Sequence, residues 1–120
     1  MEESKRLGIL GEEAVAYEYR LRGGIIWDNN YSCRLGEIDI IAILNDFLII
    51  CEVKTRKENS LISGFEAVNR AKQQRIIAAT KHFMAKNNLD NVTVRFDVAE
   101  VVHLGNYKFR VNILENAFSV

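Results

Sequence analysis

Asp39 and Glu52 stand in the chain with twelve residues between them, and Lys54 follows Glu52 by two positions. Two carboxylates and an ammonium are a set that can hold a divalent cation and act on a phosphodiester. The spacing matters because side chains alternate along a strand. If 36–44 (GEIDIIAIL) and 47–55 (FLIICEVKT) are strands, then Glu37, Asp39 and Ile41 share one face of the first. Glu52, Lys54 and Arg56 share one face of the second. A two-residue turn at Asn45-Asp46, residue types that accept positive φ, sets Asp39 opposite Glu52 and Glu37 opposite Lys54. Directly opposite residues have Cβ atoms about 4.5–5.5 Å apart, where like charges destabilise a sheet.

The flanking residues, Ile40 to Leu44 and Phe47 to Cys51, are almost wholly apolar, as in strands covered on both faces. An Asp–Glu pair there is costly unless positive charge lies between them. Mg²⁺ (or Mn²⁺) is the expected cofactor, because Mg²⁺ commonly takes one or two carboxylates together with substrate phosphate oxygens. Asp39 and Glu52 are the expected ligands, with the Val53 carbonyl as a further one. Lys54 is placed to orient an attacking water or to stabilise developing charge. The plainer alternative is a solvated edge with a Glu37–Lys54 ion pair, and the apolar flanks weigh against it.

Other candidates lie on helices. Gly8, Glu12, Val15 and Tyr19 share one face of a helix over 4–22, while Leu7, Leu10, Ala14, Tyr17 and Leu21 form a second stripe. Glu12 points to the site or to solvent according to which stripe is buried. Phe65, Val68, Lys72, Ile76, Ala79 and Phe83 follow helical spacing, so Lys72 lies mid-stripe, either snorkelling or directed at a phosphate. Arg56 and Lys57 extend past Lys54 and are phosphate candidates, as is Arg34 beside Gly36. His82 and His103 have no partner at ligand spacing.

The elements that must position these groups read in the order α-β-β-β-α-β-β: a helix over 4–22 with Ser4 as N-cap and a stop at Gly23-Gly24, then strands 25–31, 36–44 and 47–55. A loop at 59–64, a helix over 65–87 and strands 92–102 and 107–114 follow. This is an α/β mixed sheet flanked by helices. The 120 residues suit one domain, spanning 1–120. No run of 18 apolar residues exists to span a membrane, and the N-terminus lacks a signal-peptide pattern. Cys33 and Cys51 form no CxxC motif, so the expected compartment is the cytoplasm, without a disulfide. Net charge is zero, which argues against strong nonspecific nucleic-acid binding. Residues 54–86, however, carry eight basic and two acidic side chains, a segment that suits a phosphate-binding face.

The spacing Asp39-x12-Glu52-Val53-Lys54 resembles the PD-(D/E)xK signature of the restriction-endonuclease-like superfamily, with Ile38 where the signature has proline. Gly11-Glu12, Asn30-Tyr31, Gly36 to Ala42, Glu52 to Arg56, Gly64, Val68, Lys72 and Arg95-Phe96-Asp97 resemble the bacterial YraN family (UPF0102), itself similar to archaeal Holliday junction resolvases. The resemblance covers nearly the whole chain. It implies a restriction-endonuclease-like fold, metal ligands at Asp39 and Glu52, a catalytic lysine at Lys54 and a further acidic contributor at Glu12. The expected activity is metal-dependent endonuclease hydrolysis of DNA, branched DNA included. Nucleic acid is the expected partner, membranes are not, and a homodimer is left open. The alternative is a non-catalytic nucleic-acid- or protein-binding module that retains the fold.

Overall fold

Two consecutive residues with positive φ, Asn45 (49°) and Asp46 (68°), turn the chain back on itself in the manner of a type I′ hairpin. The strands they join are β2, Gly36–Leu44, and β3, Phe47–Lys57. Their register runs from Leu44↔Phe47 to Ile40↔Cys51, as the turn dictates. In a computed structural model that describes residues 2–58 and 68–120, these strands lie within a five-stranded mixed sheet of order β1-β2-β3-β4-β5. Its other strands are β1, Ile25–Cys33; β4, Thr93–Gly105; and β5, Lys108–Phe118. Only the β3–β4 pair is parallel. The chain reaches β4 through helix α2, Arg70–Lys86, and α1, Glu3–Leu21, precedes β1. The element order is the one read from the sequence. Among the described residues no helix is long and apolar enough to cross a membrane.

The apolar runs of β2 and β3 are covered on both faces. On one side Ile40, Ala42, Ile49, Cys51, Val53, Ala99 and Val101 pack with Val15, Ala16 and Tyr19 of α1. On the other, Ile41, Leu48, Ile50, Phe96 and Val98 pack with Ile76, Ile77, Ala79 and Phe83 of α2. Of the two stripes on α1, the first buries Val15 and Tyr19, whereas the second buries Leu7 and leaves Tyr17 and Leu21 exposed. Val15 and Tyr19 carry their stripe-mate Glu12 to the sheet side of the helix.

Local chemistry moves several boundaries. Ser4 is not the cap of α1: the N-cap is Glu2, without a side-chain cap bond, and Ser4 Oγ instead donates to Glu2 Oε1 at 2.7 Å. The stop at Gly23-Gly24 holds, with Gly23 at φ 93° and Gly24 N–H donating to the Tyr19 carbonyl at 2.8 Å. Helix α2 begins later than its apolar stripe because Asn69 caps it, accepting from the Lys72 N–H at 2.9 Å. The expected loop at 59–64 and the expected helical residues 65–67 lie outside the described residues. Of the last two strands, β4 runs on to Gly105 and β5 starts at Lys108 because Asn106 and Tyr107, both at positive φ, make a second tight turn, and β5 continues past the expected end to Phe118.

Candidate active site

The β2–β3 ladder ends at Ile40↔Cys51, one residue short of Asp39 and Glu52. There the Asp39 carboxylate replaces the next strand partner, accepting the Val53 N–H at 2.8 Å. The strand also rotates at this point. Ile38 belongs to the core under α2, while Ile40, two residues on, belongs to the core under α1. Strict alternation across 37–41 therefore fails, and Asp39 lies where the side chains change face. Facing it on β1, Asn30 adopts φ 57° between the paired residues Asn29 and Tyr31, a conformation that Asn tolerates better than most residues.

This break brings the two carboxylates together. The Glu52 carboxyl is 6% exposed and within hydrogen-bonding reach of Asp39. Burial, then the hydrogen bond and negative charge of Asp39, push Glu52 up to about 8, and the charges of Lys72 and Lys54 only partly oppose them. Lys72 Nζ lies 3.7 Å from Glu52 Oε2. Its stem follows the apolar stripe of α2, but its ammonium is directed at the acid pair. Glu12 is also raised, by burial and then by the Asp39 charge, against a lowering hydrogen bond from Asn30. Glu12 thus senses Asp39 electrostatically. Among the described residues, however, no three His, Cys, Asp or Glu side chains stand close enough to hold a metal ion together. The arrangement is a pair with a third acid behind it. Glu52, buried, and Asp39, half-buried, are hard oxygen donors of the kind that Mg²⁺ or Mn²⁺ takes together with water and phosphate oxygens.

One sequence-derived contact changes. Glu37 is not opposite Lys54; it pairs with Ser32 on β1, because β2 and β3 have already parted. It lines a groove of about 290 Å³ with Arg34, Lys72 and Arg75. Arg56 is held by Glu100, with Nε 3.2 Å from Oε2. Trp27 is 41% exposed and meets Phe83 edge-on, whereas Tyr31 and Phe96 are core residues. Tyr31 also shares a 2.6 Å hydrogen bond with His82 Nδ1. Arg56 and Lys57 line a second cleft, of about 510 Å³, together with Glu12, Val53 and Thr55. Arg34 and Lys72 thus fall in one cavity and Arg56 and Lys57 in the other, and each cavity includes a residue of the acid cluster or its cationic partner. Cys33 and Cys51 are unbridged, and Cys51 is a buried core residue.

Glu100 escaped the sequence reading, Arg75 entered it only as one of the basic residues of 54–86, and Asn30 only through the family resemblance. Glu100 carried the same signal as Glu52, an acid inside an apolar strand. Arg75 lies three residues after Lys72 and so on the same helix face.

The fold and the paired acids define an α/β domain whose central hairpin opens at an acidic site. The family model described as "Uncharacterised protein family UPF0102" matches residues 11–101, and the chain belongs to this family. A UPF0102 protein of Alkaliphilus oremlandii is 42% identical over 117 residues, covering 96% of this chain and 99% of that protein. One from Clostridium perfringens is 40% identical over 118 residues, covering 98% and 97%. One from Desulforapulum autotrophicum is 41% identical over 116 residues, covering 97% and 95%.

Proposed function

We propose that the chain is a metal-dependent nuclease that hydrolyses phosphodiester bonds in DNA. The observation that carries this reading is the opening of the β2–β3 ladder at Asp39, whose carboxylate holds the Val53 N–H while lying against the buried Glu52. A fold gains nothing in stability from setting a half-buried carboxylate against a buried one. A cation-binding role explains their position. Asp39 and Glu52 would hold Mg²⁺ or Mn²⁺, with the Val53 carbonyl beside them, and the ion would supply charge for the phosphate and a more acidic water. Lys54, close enough to lower the Glu52 pKa, donates a hydrogen bond to the attacking water or to the phosphate oxygens as negative charge builds. Water gives up a proton to solvent as its oxygen bonds to phosphorus, the P–O ester bond breaks, and the leaving oxygen takes up a proton from solvent. Lys72, Arg34 and Lys57 neutralise flanking phosphates. Arg56 does so from the position in which Glu100 holds it.

The test is a cleavage panel of branched, single-stranded and duplex DNA in Mn²⁺, with calorimetry of Mn²⁺ binding. The reading requires that Asp39→Ala abolish metal binding. It also requires that Lys54→Ala lose most turnover while binding DNA in Ca²⁺ as the wild type does. No heat at millimolar Mn²⁺ and no cleavage would leave a non-catalytic binding module in its place.

A further inference from the structure

Helix α1 carries two glycines three residues apart, and they face different circumstances. A Cβ on Gly11 would collide with the Thr55 side chain, so that glycine lets the helix approach β3. A Cβ on Gly8 would meet nothing within 4 Å, and the residue has no positive φ. Neither packing nor backbone conformation calls for glycine there, and glycine weakens a helix interior. What it does is leave space, because Gly8 lines the cleft of about 510 Å³ between α1 and β3. Leu7 and Val53 give this cleft apolar surface, Thr55 a hydroxyl, and Arg56 and Lys57 positive charge. His103 also lines it, and its Nε2 is buried with no hydrogen-bond partner among the described residues. The cleft shares Glu12 and Val53 with the acid cluster.

We propose that this cleft receives an unpaired nucleotide of the substrate strand next to the reacting phosphate, so that the preferred substrate is single-stranded at that position. Its size falls within the range of small-ligand sites. Apolar walls with a few polar groups suit a base, and basic groups suit its phosphate. A base still paired in a duplex cannot enter such a pocket without leaving the stack. This inference rests on the nuclease reading for the identity of the guest, and the two fail separately.

The probe is a thymidine hexanucleotide added to the full chain, followed by amide chemical shifts without metal, with a blunt 12-base-pair duplex as comparison. The hexamer should shift Gly8, Val53 and Thr55, and the duplex should leave Gly8 unmoved. Gly8→Leu fills the cleft. It should weaken hexamer binding at least tenfold while the melting temperature does not fall and Mn²⁺ affinity stays within twofold of wild type. Gly8→Ala, which adds only a methyl group, should give a smaller loss in the same direction. Hexamer binding that leaves these amides silent, Gly8 variants that bind like the wild type, or no hexamer binding at millimolar concentration would each overturn the proposal. Absence of Mn²⁺ binding and cleavage in the wild type would overturn the nuclease reading while leaving a nucleotide cleft in place.

Discussion

Asp39 carries two duties that substitution can separate. Its oxygen accepts the Val53 N–H, and its charge opposes Glu52. Asparagine keeps an acceptor and removes the charge, so Asp39→Asn should leave the metal-free protein as stable as the wild type or more so. Asp39→Ala loses both and should cost about 1 kcal/mol or more, the usual cost of leaving a partly buried donor unmet. Chemical denaturation in a chelator distinguishes them, and equal losses would show that the fold needs the carboxylate itself, so that its repulsion with Glu52 is no net cost. The pH dependence follows from the same pair. Glu52 is raised from the ordinary 4.5 of a glutamate to about 8, so between those values the folded state holds a proton that the unfolded state has released. Stability of the metal-free protein should therefore fall as pH rises through this window, by on the order of a few kcal/mol in total. Asp39→Asn should flatten the slope. Metal binding near pH 7 should release a proton, seen as a dependence of the binding heat on the buffer's ionisation enthalpy.

At the level of elements, two glycines fix how the helices approach the sheet. An added Cβ at Gly36 would lie 2.6 Å from the Arg75 carbonyl oxygen, a backbone atom of α2, the helix that brings Lys72 to Glu52. At Gly11 the obstacle is the Thr55 side chain. Gly36→Ala should thus cost about 1–3 kcal/mol and loosen the Lys72 contact. Gly11→Ala should be largely repaired by Thr55→Ala, a coupling that a double-mutant cycle measures. These contacts also mark where the sequence stops being readable. The hairpin register was legible because Asn45-Asp46 permits one tight turn and the apolar runs on either side agree with it. The direction of Lys72 was half legible, since spacing placed it in the stripe but not its ammonium against Glu52. The Glu37–Lys54 pairing was not legible, because it assumed unbroken alternation. The break at Asp39 depends on Asn30 and Val53, which lie on two other strands. Capping chemistry at Asn69 was in plain view and was outweighed by the apolar stripe running through it.

Over the whole molecule, formal charge sums to zero, so any hold on DNA must come from where the charges lie. Each phosphate contact contributes about 0.9 to the salt slope of duplex binding. Lys57→Ala should flatten the slope by about that amount and leave the fold intact. Arg56→Ala should flatten it too and also lower the melting temperature by a few degrees, since it removes the ion pair with the buried Glu100. Unchanged slopes in both would move the nucleic acid to another face. A second buried anchor spans the molecule away from these charges. Asp97 is fully buried and accepts from Tyr19, twice from Arg95 and from the Asn116 N–H, so α1, β4 and β5 meet at one carboxylate. The parallel seam between β3 and β4 has a consequence for the growing chain. Phe47 meets Thr93 only across the whole of α2, whereas β1, β2 and β3 find one another through short turns. A ribosome therefore releases the acid-bearing hairpin with one long edge of β3, rich in isoleucine and leucine, still open to other strands. That edge closes only when β4 has been synthesised, so the interval of translation between the two strands is when this chain is most exposed to mispairing.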